Sequence, residues 1–316
     1  MKFNFNPETL PDLRGKVYLV TGGNSGIGKY TVFHLAKHNA KVYLCARSEA
    51  KASSAIADIR NWAKRDDLDI QFLQLDLLDL SSVRTAANDF ISKESKLHGL
   101  VNNGGIMAVP DALSKDGFES QFATNYISHW LLTSLLTPVL LQTAAKLPPG
   151  SVRIVNVASS NHAKAPVGGV DFKDINMRNP KYDPWTKYGQ SKLANVLHAK
   201  ALNKRFKEKG IWTASLHPGI VDTNLMSNVQ MPGITILSSK PAVFLMRAVG
   251  FLIKADEGSW TQLFAVASNQ FTAELSGAYL EPLVKTGKIS ADGERAELAE
   301  KLWNWTEEAM RTKGFI

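Results

Sequence analysis

The stretch "VTGGNSGIG", residues 20–28, places four glycines in nine positions directly after the apolar run "GKVYLV" (residues 15–20). Glycine costs a strand or a helix about 0.5–1 kcal/mol relative to alanine. A chain this bare therefore needs a reason, and the flanking sequence supplies one.

Working outward, apolar strands alternate with helical segments. "KVYLVTG" (16–22) reads as a strand buried on both faces, and "IGKYTVFHLAKH" (27–38) as a helix. "AKVYLCA" (40–46), "IQFLQLDL", "GLVNN" (99–103) and "SVRIVNVAS" (151–159) read as further strands. Helices fall between them at "EAKASSAIADIRNWAKR", at "SSVRTAANDFISKE" behind a Ser cap, and from about Gly117. This alternation implies an α/β fold, a Rossmann-type doubly wound parallel sheet with helices on both faces. Without a Pro/Gly/Ser-rich linker or a repeat, residues 1–316 read as one domain. Within it, 15–220 form the core with the chemical motifs, 224–254 a substrate-covering segment, and 290–316 a C-terminal helix.

The glycines now have a place, between the first strand and the first helix. There a dinucleotide pyrophosphate rests on backbone N–H groups at a helix N-terminus. Gly22 allows the tight turn, Gly26 the close approach of phosphates, and Gly28 the packing of helix on strand, with Asn24, Ser25 and Ile27 completing the loop. The spacing is Gly-x₃-Gly-x-Gly rather than Gly-x-Gly-x-x-Gly. At the end of the second strand, "LCARS" carries no carboxylate for a ribose 2′-hydroxyl, and Arg47 stands where a 2′-phosphate is accommodated. NADP(H) is the expected cofactor.

Further on, Tyr188 and Lys192 stand at i and i+4 on one helix face, in a helix expected to start at Asp183-Pro184. An ammonium beside a phenol is expected to lower its pKa toward the working range, making Tyr188 a general acid or base for a carbonyl or alcohol oxygen. "IVNVASS" ends the fifth strand with Ser159 and Ser160, at the carboxyl edge where such sheets bind ligands.

These residues closely resemble the short-chain dehydrogenases/reductases. The likeness runs from Gly15 to about Tyr279 and includes "TGGNSGIG", "LDLLD", "NNGG" (102–105), Asn125 in "FATNYISH", "VASS", "YGQSK" and "HPGIVDT" (217–223). It departs at position 104, where Gly replaces the usual Ala. The resemblance implies a catalytic set of Asn125, Ser160, Tyr188 and Lys192, with the second Ser of "ASS" taken as the one that orients substrate. It implies further cofactor contacts from Asp76, Leu77, Asn102, Gly104, Pro218, Gly219, Ile220 and Thr223. Within the family, "SKLANVLHAKAL", "ADEGSWTQL" (255–263) and "EKLWNWTEE" resemble the retinol-dehydrogenase-like branch and, more loosely, fungal members associated with secondary metabolism.

The expected activity is interconversion of a carbonyl and an alcohol on a bulky hydrophobic substrate. The alternative is the same scaffold in a non-redox role, as a cyclisation catalyst or a cofactor-binding regulatory or scaffold protein. Candidate substrate contacts are Ser160, His162, Trp185, Leu225 and Met226. The apolar segment 224–254 is expected as a lid over substrate, with a packed helix or a peripheral membrane contact as alternatives. His129 and His217 read as structural.

Composition narrows the rest. The net charge of +8 is spread along the chain, and the modest cluster "KALNKRFKEK" (200–209) suits a solvated helix face better than nucleic acid. One cysteine, Cys45, excludes an internal disulfide, and neither a signal-peptide pattern nor an uninterrupted spanning segment occurs. A cytoplasmic monomer or homodimer without metal is expected, since neither His-Glu-x-x-His nor Cys-x-x-Cys occurs.

Overall fold

The computed structural model describes residues 1–221 and 252–316. Strand β1 (Val17–Thr21) is buried at every position and sends alternate side chains to opposite faces. Val17 and Leu19 join one hydrophobic core, Tyr18 and Val20 the other. Helix α1 (Gly26–Lys37) follows, then β2 (Lys41–Ala46), α2 (Glu49–Ala63), β3 (Ile70–Gln74) and α3 (Leu80–Lys93). Helix α3 is capped by Asp79, whose carboxylate accepts from the Ser81 and Ser82 amides, and not by a serine as the sequence pattern suggests. One carboxylate oxygen, Asp79 Oδ1, satisfies two orphan N–H groups at once.

Strand β4 (Gly99–Asn102) leads to a helical turn at Ser120–Phe122 and a π-helical turn at Ala123–Ile127, which run into α4 (Ser128–Ala144). Strand β5 (Val152–Val157) precedes α5 (Pro184–Phe206), whose start is built as expected. Asp183 accepts from the Trp185 and Thr186 amides at 2.7 and 2.9 Å, with Pro184 at the first helical position. Then come β6 (Ile211–Leu216), α6 (Ala255–Ala267), β7 (Tyr279–Glu281), β8 (Lys285–Thr286) and α7 (Ala296–Thr312).

The strands form one eight-stranded sheet in the order β3-β2-β1-β4-β5-β6-β7-β8. All neighbours pair parallel except the last, β7 with β8, which is antiparallel. Helices α3, α4, α5 and α7 cover one face through Val83, Phe90, Trp130, Leu193 and Leu302. Helices α1, α2 and α6 cover the other through Val32, Leu35, Ile59 and Phe264. Strand order reverses between β1 and β4, and at such a switch point the diverging loops leave a crevice at the carboxyl ends of the strands.

The expected substrate-covering segment 224–254 lies for the most part outside the described residues, with Leu225 and Met226, and so does the expected cofactor contact Thr223. Val221 and Ile253 form an isolated parallel bridge, and the Ile253 amide donates to Ile220 O at 2.9 Å. Among the described residues no helix is long and apolar enough to cross a membrane, and no cluster of metal-ligating side chains occurs.

Candidate active site

At the switch point opens a cavity of about 1050 Å³. Its floor is the glycine loop. Gly22 sits at φ +63°, and a Cβ on it would lie 3.0 Å from Gly104 Cα. A Cβ on Gly28 would fall on the Gly22 carbonyl oxygen and 2.5 Å from Asn103 Nδ2. That amide donates to Thr21 O at 2.7 Å, so the packing of helix on strand at Gly28 also fixes the Asn103 loop. Ser25 caps α1 without a side-chain hydrogen bond, which leaves the first amides of the helix directed at the cavity.

Of the residues expected to hold a dinucleotide, Gly22, Asn24, Ser25, Gly26, Ile27, Gly28, Arg47, Asp76, Leu77, Gly104, Pro218 and Gly219 line this cavity with Tyr188 and Lys192. Asn102 does not. It is buried in the sheet, donating to Asn156 Oδ1 and Thr133 Oγ1, and Asn103 lines the cavity in its place. Ile220 also stays off the lining and is exposed. Lys51, Ser48 and Ser54, on or just before α2, line it beside Arg47, and the motifs alone miss them. Lys51 follows the Ser48 cap by three residues, and a helix start beside the vacant acid position is the readable signal for it.

The other end of the cavity holds the Tyr188–Lys192 pair, one turn apart on α5. Lys192 Nζ donates to Val157 O at 2.8 Å and lies 5.6 Å from the centroid of the Tyr188 ring. Burial pushes the Tyr188 phenol up to about 12 and the Lys192 ammonium down to about 7. The expectation that Lys192 would depress the phenol is corrected. Desolvation penalises the charged form of both groups and outweighs their attraction.

The serine assignment is corrected as well. Ser159 is buried and faces the phenol, opposing the rise in its pKa, whereas Ser160 is exposed. Strand β5 ends at Val157, and Ser159 caps the helical turn Ser160–Lys164, accepting from the Asn161 amide at 3.2 Å. The cap holds Ser159 at the sheet edge, while the turn carries Ser160 outward.

His162, expected as a substrate contact, lies off the cavity lining. Its Nδ1–H donates to Ser159 O at 2.7 Å, and its Nε2 accepts from the Ser290 amide at 3.0 Å. Both ring nitrogens are spent tying the serine turn to the chain ahead of α7. Trp185 meets Tyr188 edge to face at 6.3 Å, off the cavity lining.

Asn125 lies in the π-helical turn with every side-chain polar atom engaged. Its Oδ1 accepts from the Ile106 amide at 2.9 Å, and its Nδ2 donates to Ile106 O and to Ser191 Oγ. A Cβ on Gly105 would stand 2.9 Å from Asn125 Oδ1 and 3.6 Å from Lys192 Nζ, so bare backbone separates the two groups. One turn on, His129 Nδ1–H donates to Asn125 O at 3.0 Å. Burial lowers His129 to about 4, so its neutral Nε2 accepts the Thr21 hydroxyl at 2.8 Å. Thr21 Oγ1 in turn accepts from the Asn103 and Gly104 amides, pinning the "NNGG" loop over the glycine turn.

Comparison with known proteins agrees with this construction. The family described as short chain dehydrogenase matches residues 16–171. A short-chain dehydrogenase/reductase of Aspergillus calidoustus is 50% identical over 319 residues, covering 98% of each chain. An uncharacterized oxidoreductase of Schizosaccharomyces pombe is 42% identical, covering 96% of this chain and 87% of its own. A crystal structure of an uncharacterized Mycobacterium paratuberculosis protein superposes with a TM-score of 0.73 at 29% identity, covering 98% of each chain. NADPH-bound carbonyl reductase from chicken fatty liver shares the fold, with a TM-score of 0.63 at 22% identity over 88% of this chain and all of that one. The fold and these relatives define an oxidoreductase of the Rossmann-type α/β class. The chain belongs to the short-chain dehydrogenase/reductase family, whose members bind a nicotinamide cofactor.

Proposed function

We propose that the protein is an NADP(H)-dependent oxidoreductase that interconverts a carbonyl and an alcohol on a bulky hydrophobic substrate, with Tyr188 as general acid/base. The observation that carries this reading is the Tyr188–Lys192 pair at the end of the cavity that begins at the glycine loop, with Ser159 beside the phenol.

The cavity fits the cofactor. A bare cradle at Gly22 and Gly28 and an uncapped helix N-terminus suit a pyrophosphate. Arg47 and Lys51, neither in an ion pair among the described residues, suit a 2′-phosphate. Bound there, the nicotinamide supplies or accepts the hydride.

The remaining work falls to the chain. Tyr188 keeps its proton across the neutral range, which suits donation to a carbonyl oxygen. Ser159 hydrogen-bonds the same oxygen as charge develops on it. Lys192, held by Val157 O, positions the ribose side and replenishes the proton. Ile106, Met107, Val109 and Val221 give the mouth an apolar character that suits a lipophilic substrate.

Titration with NADPH and with NADH, followed by tryptophan quenching, tests the cofactor assignment. Tighter NADPH binding is expected, and equal or tighter NADH binding would overturn it.

A further inference from the structure

At the opposite, amino-terminal end of the strands lies a second cavity of about 260 Å³. The sheet register explains it. Tyr18 on β1 pairs with Gly99 on β4, Gly99 with Arg153 on β5, and Arg153 with Trp212 on β6, giving one row across four strands. Gly99 is the gap in that row. A Cβ there would lie 2.6 Å from Tyr18 Cε1 and 2.7 Å from Val266 Cγ2, so its absence lets the Tyr18 ring lie across β4 toward Arg153.

Arg153 is 9% exposed and has no carboxylate partner among the described residues. Its Nε donates to Gly150 O at 2.8 Å, and Nη1 to Ser268 O at 2.8 Å and Ala265 O at 3.3 Å, at the carboxyl end of α6. The guanidinium lies between the Trp212 and Phe271 rings, at 5.6 and 5.3 Å from their centroids. These contacts fix the group and leave Nη2 without a partner among the described residues. The Tyr18 hydroxyl, on a residue 2% exposed, has none either, nor has Lys16 Nζ, and all three residues line the cavity. Burial together with the neighbouring Arg153 lowers the Lys16 ammonium, as two close like charges require.

We propose that this cavity is an oxyanion-binding site, which takes a carboxylate or phosphate group on Arg153 Nη2, Lys16 Nζ and the Tyr18 hydroxyl against the Trp212 wall. Arg153 Nη2, Lys16 Nζ and the Tyr18 hydroxyl belong to residues that line one cavity, and none has a partner among the described residues. A rigid guanidinium edge and an ammonium donate only, and the phenol hydroxyl has a proton to give to an anion. The site stands apart from the nucleotide cavity, with which it shares no lining residue.

The test is calorimetric titration of the full chain with inorganic phosphate and, separately, acetate, at constant ionic strength with chloride as the filler. The same titrations are run on Lys16→Met and Tyr18→Phe, which leave the Arg153 backbone contacts in place, and thermal melts check that each folds. Saturable binding that each variant weakens by about tenfold is expected, the loss of one charge-assisted or buried hydrogen bond. Phosphate bound and acetate not would identify the phosphate group as the ligand, and the reverse a carboxylate. Absence of saturable binding overturns the proposal. So does binding that both variants retain in full, which would place the anion in the nucleotide cavity instead.

Discussion

Lys192 Nζ and the Tyr188 ring centroid are 5.6 Å apart, with both residues buried. Enclosure moves their proton affinities in opposite directions, the phenol up to about 12 and the ammonium down to about 7. Between pH 7 and 10.5 the unfolded chain therefore binds a proton at Lys192 that the native chain does not, and this group makes stability rise with pH across that window. Replacing Lys192→Met should raise Tm most at and below pH 7, with the gain shrinking toward 10.5. Melts of both proteins across this range check it, and a gain that grows with pH would contradict the burial argument.

The two serines give a sharp contrast. Ser159→Ala should lower kcat by about 10²–10³, the effect of losing one hydrogen-bond donor to a developing oxyanion. Ser160→Ala should leave kcat within about twofold, the noise of a surface change, because Ser160 is exposed while Ser159 faces the phenol. Steady-state kinetics of the two variants decides between them.

Arg47→Ala and Lys51→Ala should each weaken NADPH binding by about 10- to 100-fold, the loss of a charge-assisted hydrogen bond to phosphate. NADH binding should barely change, since only the edge of the cavity at the start of α2 is altered. Equal losses for both nucleotides would place these cations on the shared pyrophosphate.

Gly28→Ala should cost about 1–3 kcal/mol, because the added methyl meets the Gly22 carbonyl and Asn103 Nδ2, neither of which is a side-chain end free to swing away. A Tm lower by several degrees and weakened nucleotide binding are the expected signs.

Much of this fold is legible in the sequence alone. Strands β1, β2, β4 and β5 announce themselves as short apolar runs because parallel strands inside a sheet are buried on both faces. The glycine loop and the Asp183-Pro184 helix start are local chemistry, readable from a few adjacent residues. What the sequence hides depends on where a chain turns. Whether Ser159 or Ser160 faces Tyr188 is decided by where β5 stops and a helical turn takes over, which apolar pattern fixes only to within a residue or two. The same one-residue ambiguity at the end of β4 exchanges Asn102 for Asn103. The role of His162 is hidden because its partner, Ser290, is 128 residues away. The Tyr188 pKa is hidden because burial acts on both members of the pair, whereas spacing alone shows only their attraction.

The most direct test follows NADPH consumption with a panel of bulky lipophilic ketones, comparing the protein with Tyr188→Phe at saturating cofactor. The account predicts turnover by the protein and a fall of at least about 10²-fold in the variant, the contribution of a positioned general acid, with NADPH affinity unchanged. Turnover undiminished in Tyr188→Phe would contradict it.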